Sequence, residues 1–225
     1  MKLIDLSFPI REHWRWGFQL TLKHRLEDGD AFRSTVMTLP SHCYTHVDTL
    51  LHCKPGGAPA LDELPVDAWS GKASVLDLTP VIRQDHAISR DDILKALPAT
   101  HEKGDILLLK TCWETQRDIS SKEYWTDAPY VTQEAARALL ELAPRAVGFD
   151  FPQDVILKEA ATRKGCLPMD GSTTHQELLL KGVFLIEYLC NLGALTRPRI
   201  DLLALPLRVV GGEGSPVRAV AVESL

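Results

Sequence analysis

The amino-acid sequence predicts an α/β fold, because short apolar runs of β character alternate with segments that have helical spacing. Apolar residues make up 45% of the 225 residues, which is enough for a substantial core, and charged residues make up an ordinary 24%. A chain of this length can form one large domain or two small ones. No long polar linker, repeat or low-complexity run divides it.

Apolar runs mark the predicted strands. The run from Val183 to Ile186 follows a Lys-Gly helix stop and has the length of a buried core strand. Near the C-terminus, the runs 207–210 and 217–222 flank a glycine-rich stretch, which predicts a terminal β-hairpin with a long turn. The remaining strands are predicted near residues 3–8, 34–39, 73–78, 106–111 and 146–150, with the core strand over 183–188.

Capping residues mark the predicted helices. Ser89 and Asp92 form a start similar to a capping box, with Asp where Glu is usual. Thr132 caps the next helix, in which apolar residues recur at helical spacing. Ser172 or Thr173 can cap the last one. The helices are predicted near residues 90–97, 132–142, 154–162 and 174–181.

Three of the eight histidines lie within eleven residues, together with an aspartate: His42, His46, Asp48 and His52. These side chains are typical ligands of a divalent metal, and histidine also moves protons near neutral pH. An isolated pair of histidines four residues apart is common on a solvated helix face. The addition of Asp48 and His52 in the same short stretch favours a metal-dependent catalytic site.

The spacing of this segment constrains its backbone. In a straight strand, positions 42 and 48 would lie roughly 20 Å apart at about 3.3 Å per residue. In a straight helix, Asp48 would lie about 200° round the axis from His46. Because ligands must converge on one ion, we expect a bent loop after the strand 34–39, which Pro40 ends. Leu50 and Leu51 predict that this loop is buried.

A second group of candidate residues lies far downstream. His175 falls in the predicted last helix, and Glu187 ends the apolar run that follows. Considered alone, His175 is either an ordinary capping residue or a ligand. Glu187 either faces water at the rim of the sheet or is paired in the interior.

Together, these segments resemble the cyclase family of metal-dependent hydrolases, which contains bacterial kynurenine formamidase and isatin hydrolase. Residues 42–52 are similar to the family pattern His-x-Gly-Thr-His-x-Asp-x-Pro-x-His, and His175 and Glu187 have the separation of its later His and Glu. Gly148-Phe149-Asp150 also matches a family motif. The resemblance implies a single domain over residues 1–225, a swivelling β/β/α fold around a small, barrel-like mixed sheet.

The resemblance also implies a metal site and a reaction. His42 and His46 would bind a first ion and His175 a second, with Asp48 and Glu187 bridging and His52 moving protons. The expected ion is Zn²⁺, in one or two copies, and Mn²⁺ is the alternative. The implied reaction is hydrolysis of a formamide, amide, lactam or lactone, with arylformamidase activity as one candidate. A metal-dependent cyclase or dehydratase, or a non-catalytic metal-binding protein, remains open.

Two aromatic residues are predicted to contact a flat, mostly apolar substrate. Trp16 fits the place of the family's substrate-contacting Trp, although it could equally belong to a packed N-terminal loop. Tyr44 stands where the family usually has Gly, and Leu50 where it usually has Pro. Residues 151–154 also depart from the family pattern. We expect these changes to affect the substrate rather than the metal ligands.

Net charge and cysteine content restrict the expected classes of binding partner and the expected cellular compartment. A net charge of −5 without a basic cluster argues against a nucleic-acid partner. No apolar stretch approaches the roughly 20 residues that span a bilayer. Five cysteines without a CxxC motif, and an N-terminus without a signal-peptide pattern, predict reduced thiols and a cytoplasmic protein. The expected partners are a small-molecule substrate and further copies of the chain, as a homodimer or homotetramer, although the sequence does not fix that number.

Overall fold

The computed structural model describes residues 1–54, 56–163 and 167–223. Twelve strands and four α-helices are found in this part of the chain, together with short 3-10 helices. The strands are β1 (Lys2–Asp5), β2 (Gln19–His24), β3 (Ser34–Thr38), β4 (His46–Asp48), β5 (Ser70–Asp77), β6 (Ala87–Ile88), β7 (Ile106–Lys110), β8 (Tyr130–Val131), β9 (Ala146–Phe149), β10 (Phe184–Glu187), β11 (Arg199–Pro206) and β12 (Gly214–Glu223). The helices are α1 (Arg90–Ala96), α2 (Glu123–Thr126), α3 (Gln133–Glu141) and α4 (Thr173–Glu177).

Seven of these strands close into a mixed barrel. Their order is β12-β11-β5-β7-β9-β10-β4, and β4 pairs back onto β12. The pairs β5–β7, β7–β9 and β9–β10 are parallel, and the other pairs in the ring are antiparallel. β1 adds to β12 outside the ring. The predicted α/β class and barrel-like mixed sheet are therefore confirmed, whereas the division into one domain stays a prediction.

Successive side chains of each strand point to opposite faces of the sheet, and this alternation produces two apolar cores. On β7, Ile106 and Leu108 belong to the core inside the barrel, while Leu107 and Leu109 belong to the core between the sheet and the helices. The inner core contains many small side chains, which suit a narrow barrel: Ala73, Ala146, Ala204, Ala219 and Ala221. Helices α1 and α3 cover the outer core with apolar side chains that include Ile93 and Leu139.

The short strand β4 positions the candidate site. Val47 packs into the inner core, so its neighbours His46 and Asp48 point to the opposite face. On β10, Ile186 packs into the inner core and Glu187, paired with His46, points to the same outer face. The two-residue period of the strands therefore gathers three polar side chains at one place.

Glycine at position 214 is required by the close approach of β12 to β4. A Cβ atom added to Gly214 would lie 2.7 Å from His42 Cε1 and 2.8 Å from the Val47 carbonyl oxygen. Both distances are too short for any larger residue without displacement of the candidate site.

Several predicted elements agree with the structure, and the exceptions have physical causes. The capping box at Ser89 and Asp92 and the Thr132 cap are confirmed. The predicted strand over 207–210 is wrong: the hairpin consists of β11 and β12, and residues 207–213 connect them. On β11, Leu203 and Leu205 are exposed between inward-facing neighbours. Exposed apolar residues are thus present at this end of the hairpin, and an apolar run such as 207–210 does not by itself indicate a buried strand.

The predicted helices downstream are tighter and shorter than expected. The segment predicted as a helix over 154–162 is a 3-10 helix, Val155–Ala161. The helix predicted over 174–181 divides into α4 and a 3-10 helix, Leu179–Lys181, because Leu178 has φ −117° and ψ −62°. The sequence also gave no indication of β2, which pairs with β3 in a largely exposed hairpin. Among the described residues, no helix has the length and apolar character needed to cross a membrane.

Candidate active site

The segment after β3 bends, as predicted, and then forms β4 and the 3-10 helix Leu50–His52. Contrary to expectation, its C-terminal part is not buried: Leu50 and Leu51 are half-buried and His52 is exposed. Residues 43–49 are buried beneath it. The bend lets side chains separated by up to ten positions in the sequence meet in space.

His46 is held in one tautomer by its own backbone. Its Nδ1–H donates to the carbonyl oxygen of Tyr44 at 2.8 Å, and a carbonyl oxygen can only accept. The other ring nitrogen, Nε2, makes no bond to the backbone and lies 3.3 Å from Asp48 Oδ1 and 3.6 Å from Glu187 Oε2. An imidazole fixed through one nitrogen and open at the other is typical of a metal ligand.

His175 has the same arrangement with a carboxylate behind it. Its Nδ1–H donates to Asp154 Oδ2 at 2.7 Å. Buried Asp154 also accepts hydrogen bonds from the backbone N–H and hydroxyl of Thr174, at 2.7 and 3.0 Å. The Nε2 atom of His175 lies 3.6 Å from both Asp48 Oδ2 and Glu187 Oε1. The two imidazoles thus present their free nitrogens to the same pair of carboxylates.

The carboxylates of Asp48 and Glu187 are both buried between these rings. Burial alone would raise the pKa of Asp48, but His46 and the hydrogen bonds of the surrounding imidazoles hold it well below its usual value. Burial and the charge of Asp48 raise the pKa of Glu187. Two carboxylates in such a small space resist being ionised together, and a divalent cation relieves this repulsion.

One buried atom supports this interpretation directly. Asp48 Oδ2 is out of contact with water and has no hydrogen-bond partner. Buried oxygen atoms without partners are rare and costly, so Asp48 Oδ2 fits a ligand atom of an ion. The donor set of imidazole nitrogen and carboxylate oxygen also suits Zn²⁺ or Mn²⁺. In the part of the chain that the structure describes, three groups of side chains have ligand atoms within 4.8 Å of one another: His46 with Asp48 and Glu187, His42 with Asp48 and His52, and His52 with Cys53 and His175.

His42 contacts a carboxylate through each ring nitrogen. Nδ1 lies 2.7 Å from Asp48 Oδ1, and Nε2 lies 3.2 Å from Glu213 Oε1, which also accepts the Ser41 hydroxyl at 2.6 Å. Glu213 therefore holds the far side of His42 as Asp154 holds the far side of His175. A neutral imidazole carries one N–H. When that N–H is on Nε2 and donates to Glu213, Nδ1 is unprotonated and can bind an ion in place of its contact with Asp48.

His52 differs from the other three imidazoles. Its ring centroid lies 3.9 Å from that of His42 and 5.7 Å from that of His175. Within the described residues its side chain makes no hydrogen bond, and it faces the cavity. The pKa of His52 is lowered to about 4, chiefly because the ring is partly removed from bulk water; the neighbouring imidazoles also lower it, and Asp48 opposes them. The ring is therefore neutral near pH 7 and keeps one unprotonated nitrogen.

A cavity of about 430 Å³ opens above this cluster. Its floor contains the four imidazoles with Asp48 and Glu187, and its wall includes Trp16 and Tyr188. The ring centroid of Trp16 lies 5.7 Å from that of Tyr188, which in turn lies 5.6 Å from that of His46. The volume suits a small aromatic ligand.

Tyr44 does not line this cavity. Its side chain is fully buried, its hydroxyl donates to the Arg11 carbonyl oxygen at 2.8 Å, and its ring centroid lies 4.4 Å from that of Trp16. Tyr44 thus supports Trp16 from behind, and the geometry does not favour the predicted contact with substrate. The backbone of Tyr44 has φ +50°, a left-handed conformation in which glycine is unstrained. This explains why glycine suits the corresponding position of the family pattern.

Comparison with known proteins agrees with this geometry. The model of the Cyclase family matches residues 4–153. The chain belongs to the Cyclase family. Its relatives include the kynurenine formamidase of Salinibacter ruber, which is 30% identical over 237 residues that cover 98% of this chain and 97% of that protein.

Solved structures show that this Cyclase-family chain also resembles known proteins in its fold. An isatin hydrolase bound to the product analogue thioisatinate superposes with a TM-score of 0.78 at 21% identity, covering 100% of this chain and 93% of that one. A potential metal-dependent hydrolase with cyclase activity superposes with a TM-score of 0.70 at 26% identity, covering 99% of both chains. The fold predicted from the family resemblance is therefore confirmed.

The structure brings the predicted site residues of this Cyclase-family chain together, except Tyr44. The roles of His42, His46, Asp48, His175 and Glu187 as metal ligands, of His52 in proton transfer and of Trp16 in substrate binding stay predictions. Neither Asp154 nor Glu213 was predicted to have a role in the site. A signal existed for Asp154 alone, because it follows the carboxyl end of β9, where functional side chains of parallel strands collect.

Proposed function

We propose that this chain is a metal-dependent hydrolase that cleaves the C–N bond of a formamide or another non-peptide amide. The main observation is the pair of imidazoles, His46 and His175, whose free Nε2 atoms face the buried carboxylates of Asp48 and Glu187 below an open cavity. The predicted reaction class is confirmed at the level of the family, since its relatives are a kynurenine formamidase and an isatin hydrolase.

We assign the ligands as follows. His42 and His46 would hold one ion and His175 a second, and Asp48 and Glu187 would bridge them. Zn²⁺ is the proposed ion and Mn²⁺ the alternative. A bound divalent ion supplies a Lewis acid for the scissile carbonyl and lowers the pKa of water toward neutrality. One structural relative is a potential metal-dependent hydrolase, which supports a divalent ion but not its identity.

The protein itself contributes positioning and proton transfer. The Tyr44 carbonyl and the Asp154 carboxylate fix the two imidazole rings before any ligand arrives, which reduces the reorganisation needed on binding. His52 is neutral, faces the cavity and is free of hydrogen bonds among the described residues. It is therefore placed to take a proton from water and to return it to the leaving nitrogen.

The cavity favours a flat substrate with one scissile carbonyl. Its polar floor would bind the carbonyl while Trp16 and Tyr188 cover the rest of the molecule. An arylformamide fits this arrangement, and a cyclic amide or lactone is the second candidate within the same reaction class. A non-catalytic metal-binding protein is less consistent with a cluster that opens onto a cavity, because structural sites are closed.

We also propose that the protein acts in the cytoplasm as a homodimer or homotetramer. Four cysteines in the described part of the chain, Cys43, Cys53, Cys112 and Cys190, are free thiols, which supports a reducing compartment. The number of subunits rests on the family resemblance, and size-exclusion chromatography with light scattering measures it directly.

Metal analysis combined with a substrate panel tests the proposed function. Purified protein, loaded with Zn²⁺ or Mn²⁺, would be assayed on formanilide, a γ-lactam and a γ-lactone, with His46→Ala as the control. We expect bound metal and hydrolysis of formanilide in the wild type, and loss of both in the variant. Stoichiometric metal without turnover on any amide or ester would contradict the proposed reaction.

A further inference from the structure

A cysteine lies beside the candidate ligands, in the wall of the same cavity. In the described part of the chain, the ligand atoms of His52, Cys53 and His175 lie within 4.8 Å of one another, and all three side chains line the cavity. We infer that these three residues form a site for a thiophilic divalent cation such as Cd²⁺, and that its occupation inhibits hydrolysis. The binding of the cation is independent of the proposed function, whereas the inhibition rests on it.

Each of the three side chains has an atom to offer to an ion. Cys53 is a free thiol, and within the described residues neither it nor the ring of His52 makes a side-chain hydrogen bond. His175 donates from Nδ1 to Asp154 at 2.7 Å, which leaves Nε2 as the ring nitrogen for an ion.

The backbone presents two of these ligands together. His52 ends the 3-10 helix Leu50–His52, and the N–H of Cys53 donates to the Leu50 carbonyl oxygen at 3.1 Å. The ring centroid of His52 lies 5.7 Å from that of His175. One segment therefore supplies the thiol and an imidazole, and helix α4 supplies the other imidazole.

One thiolate and two imidazoles favour a soft ion. Thiolate ligands select zinc and similar soft ions, whereas Mn²⁺ prefers carboxylate oxygens. With bonds of about 2.3 Å to sulfur and about 2.0–2.1 Å to nitrogen, a tetrahedral ion needs ligand atoms about 3.5 Å apart. Atoms already within 4.8 Å reach this arrangement by small side-chain rotations. Cys53 would bind as a thiolate and release its proton to water.

His175 is shared between this site and the candidate hydrolytic cluster. Its Nε2 atom also lies 3.6 Å from both Asp48 Oδ2 and Glu187 Oε1. One nitrogen lone pair binds one ion, so an ion held with Cys53 excludes an ion held by His175 and these carboxylates. The same ion engages His52, the residue proposed to move protons. A soft cation therefore removes two contributions to the reaction at once.

The absorption of a cadmium thiolate tests the site without any substrate. The Mn²⁺-loaded protein would be titrated with Cd²⁺, and the thiolate-to-metal charge-transfer band would be recorded in the ultraviolet. We expect a band in the wild type that is largely lost in Cys53→Ser. The matched control, Cys190→Ser, removes another partly buried free thiol and should keep the band. No band in the wild type, or an equal band in Cys53→Ser, would overturn the inference.

Inhibition tests the consequence for the reaction. Hydrolysis of formanilide by the Mn²⁺-loaded enzyme would be followed at increasing Cd²⁺, with each variant compared to its own rate without Cd²⁺. In Cys53→Ser, we expect the half-inhibiting concentration to rise about 10-fold or more, because the site loses its soft ligand. In Cys190→Ser it should stay within about twofold of the wild type.

Equal inhibition of Cys53→Ser and the wild type would overturn the inhibitory role. If no amide were hydrolysed at all, the proposed function would fail, and the charge-transfer titration would still decide whether His52, Cys53 and His175 bind the cation.

Discussion

Asp154 accepts the Nδ1–H of His175 at 2.7 Å and is itself held by two donors of Thr174. The ring of His175 is therefore oriented by the chain alone, with Nε2 directed at Asp48 and Glu187. A carboxylate behind a metal-binding imidazole also increases the basicity of the ligand.

Replacement of Asp154 should weaken metal binding without removing a ligand. In Asp154→Asn, we expect the affinity for Zn²⁺ to fall about 10- to 100-fold, because the ring loses its charged partner. Competition with a chromogenic chelator measures this affinity. Asp170→Asn removes an exposed carboxylate shortly before α4 and should bind Zn²⁺ like the wild type. Unchanged affinity in Asp154→Asn would show that His175 is not a ligand.

Substitutions of His52 and His46 should separate proton transfer from metal binding. We expect His52→Ala to keep its metal while kcat falls about 10²- to 10⁴-fold, as for the loss of a general acid–base group. His46→Ala should lose metal, because its Nε2 atom faces both candidate bridging carboxylates. Metal content by plasma emission spectrometry and turnover would be measured on the same samples. Metal loss in His52→Ala equal to that in His46→Ala would make His52 a ligand.

Tyr44 should contribute to stability rather than to substrate choice. Tyr44→Gly removes a fully buried ring, which costs about 3–5 kcal/mol, and relieves left-handed strain of about 1 kcal/mol. We therefore expect a net loss of about 2–4 kcal/mol in urea unfolding. Tyr44→Phe loses only the hydrogen bond to the Arg11 carbonyl and should cost about 1 kcal/mol. If Tyr44→Gly were as stable as the wild type and had an altered substrate preference, Tyr44 would have to line the cavity.

Asp105 should make the stability depend on pH in the acid range. Burial would raise the pKa of this carboxyl, but hydrogen bonds from Arg199, Ser74 and the Glu102 backbone lower it. A lowered folded-state pKa gives stability that is present above the unfolded pKa of about 3.9 and is lost as pH falls through the folded value.

Asp105→Asn should therefore cost about 1–3 kcal/mol at pH 7, and the difference from the wild type should shrink below about pH 4. Urea unfolding at several pH values measures both quantities. Glu102→Gln is the control, because Glu102 is 69% exposed and its ion pair with Arg199 should contribute at most about 1 kcal/mol. If Asp105→Asn lowered the free energy of unfolding by the same amount at pH 3 and pH 7, the proposed link between protonation of Asp105 and stability would be contradicted.

The sequence anticipated the residues that carry local signals. Ser89 and Thr132 are found as helix caps, and the apolar run before Glu187 is found as β10, because capping and strand formation depend on neighbouring residues. His42, His46, Asp48, His175 and Glu187 meet in space as their spacing and family resemblance led us to expect.

Residues that depend on long-range contacts could not be found in this way. Glu213 reaches His42 only because β12 pairs with β4 where the barrel closes, and nothing near position 213 indicates a partner 171 positions earlier. Arg15 resembles any surface arginine in the sequence, and only the fold shows that its Nε is buried without a hydrogen-bond partner and that its guanidinium lies above Trp125. The orientation of Tyr44 likewise follows from its left-handed backbone, which composition does not reveal.

The strand β4 is also the element that closes the barrel, since its three residues pair with β10 on one side and β12 on the other. Two of these three residues, His46 and Asp48, belong to the candidate site. Opening the ring at β4 would therefore also separate the candidate ligands from one another. Any ion held by these side chains stabilises the closed ring by mass action, so the resistance of this enzyme to unfolding becomes a function of the free metal concentration around it.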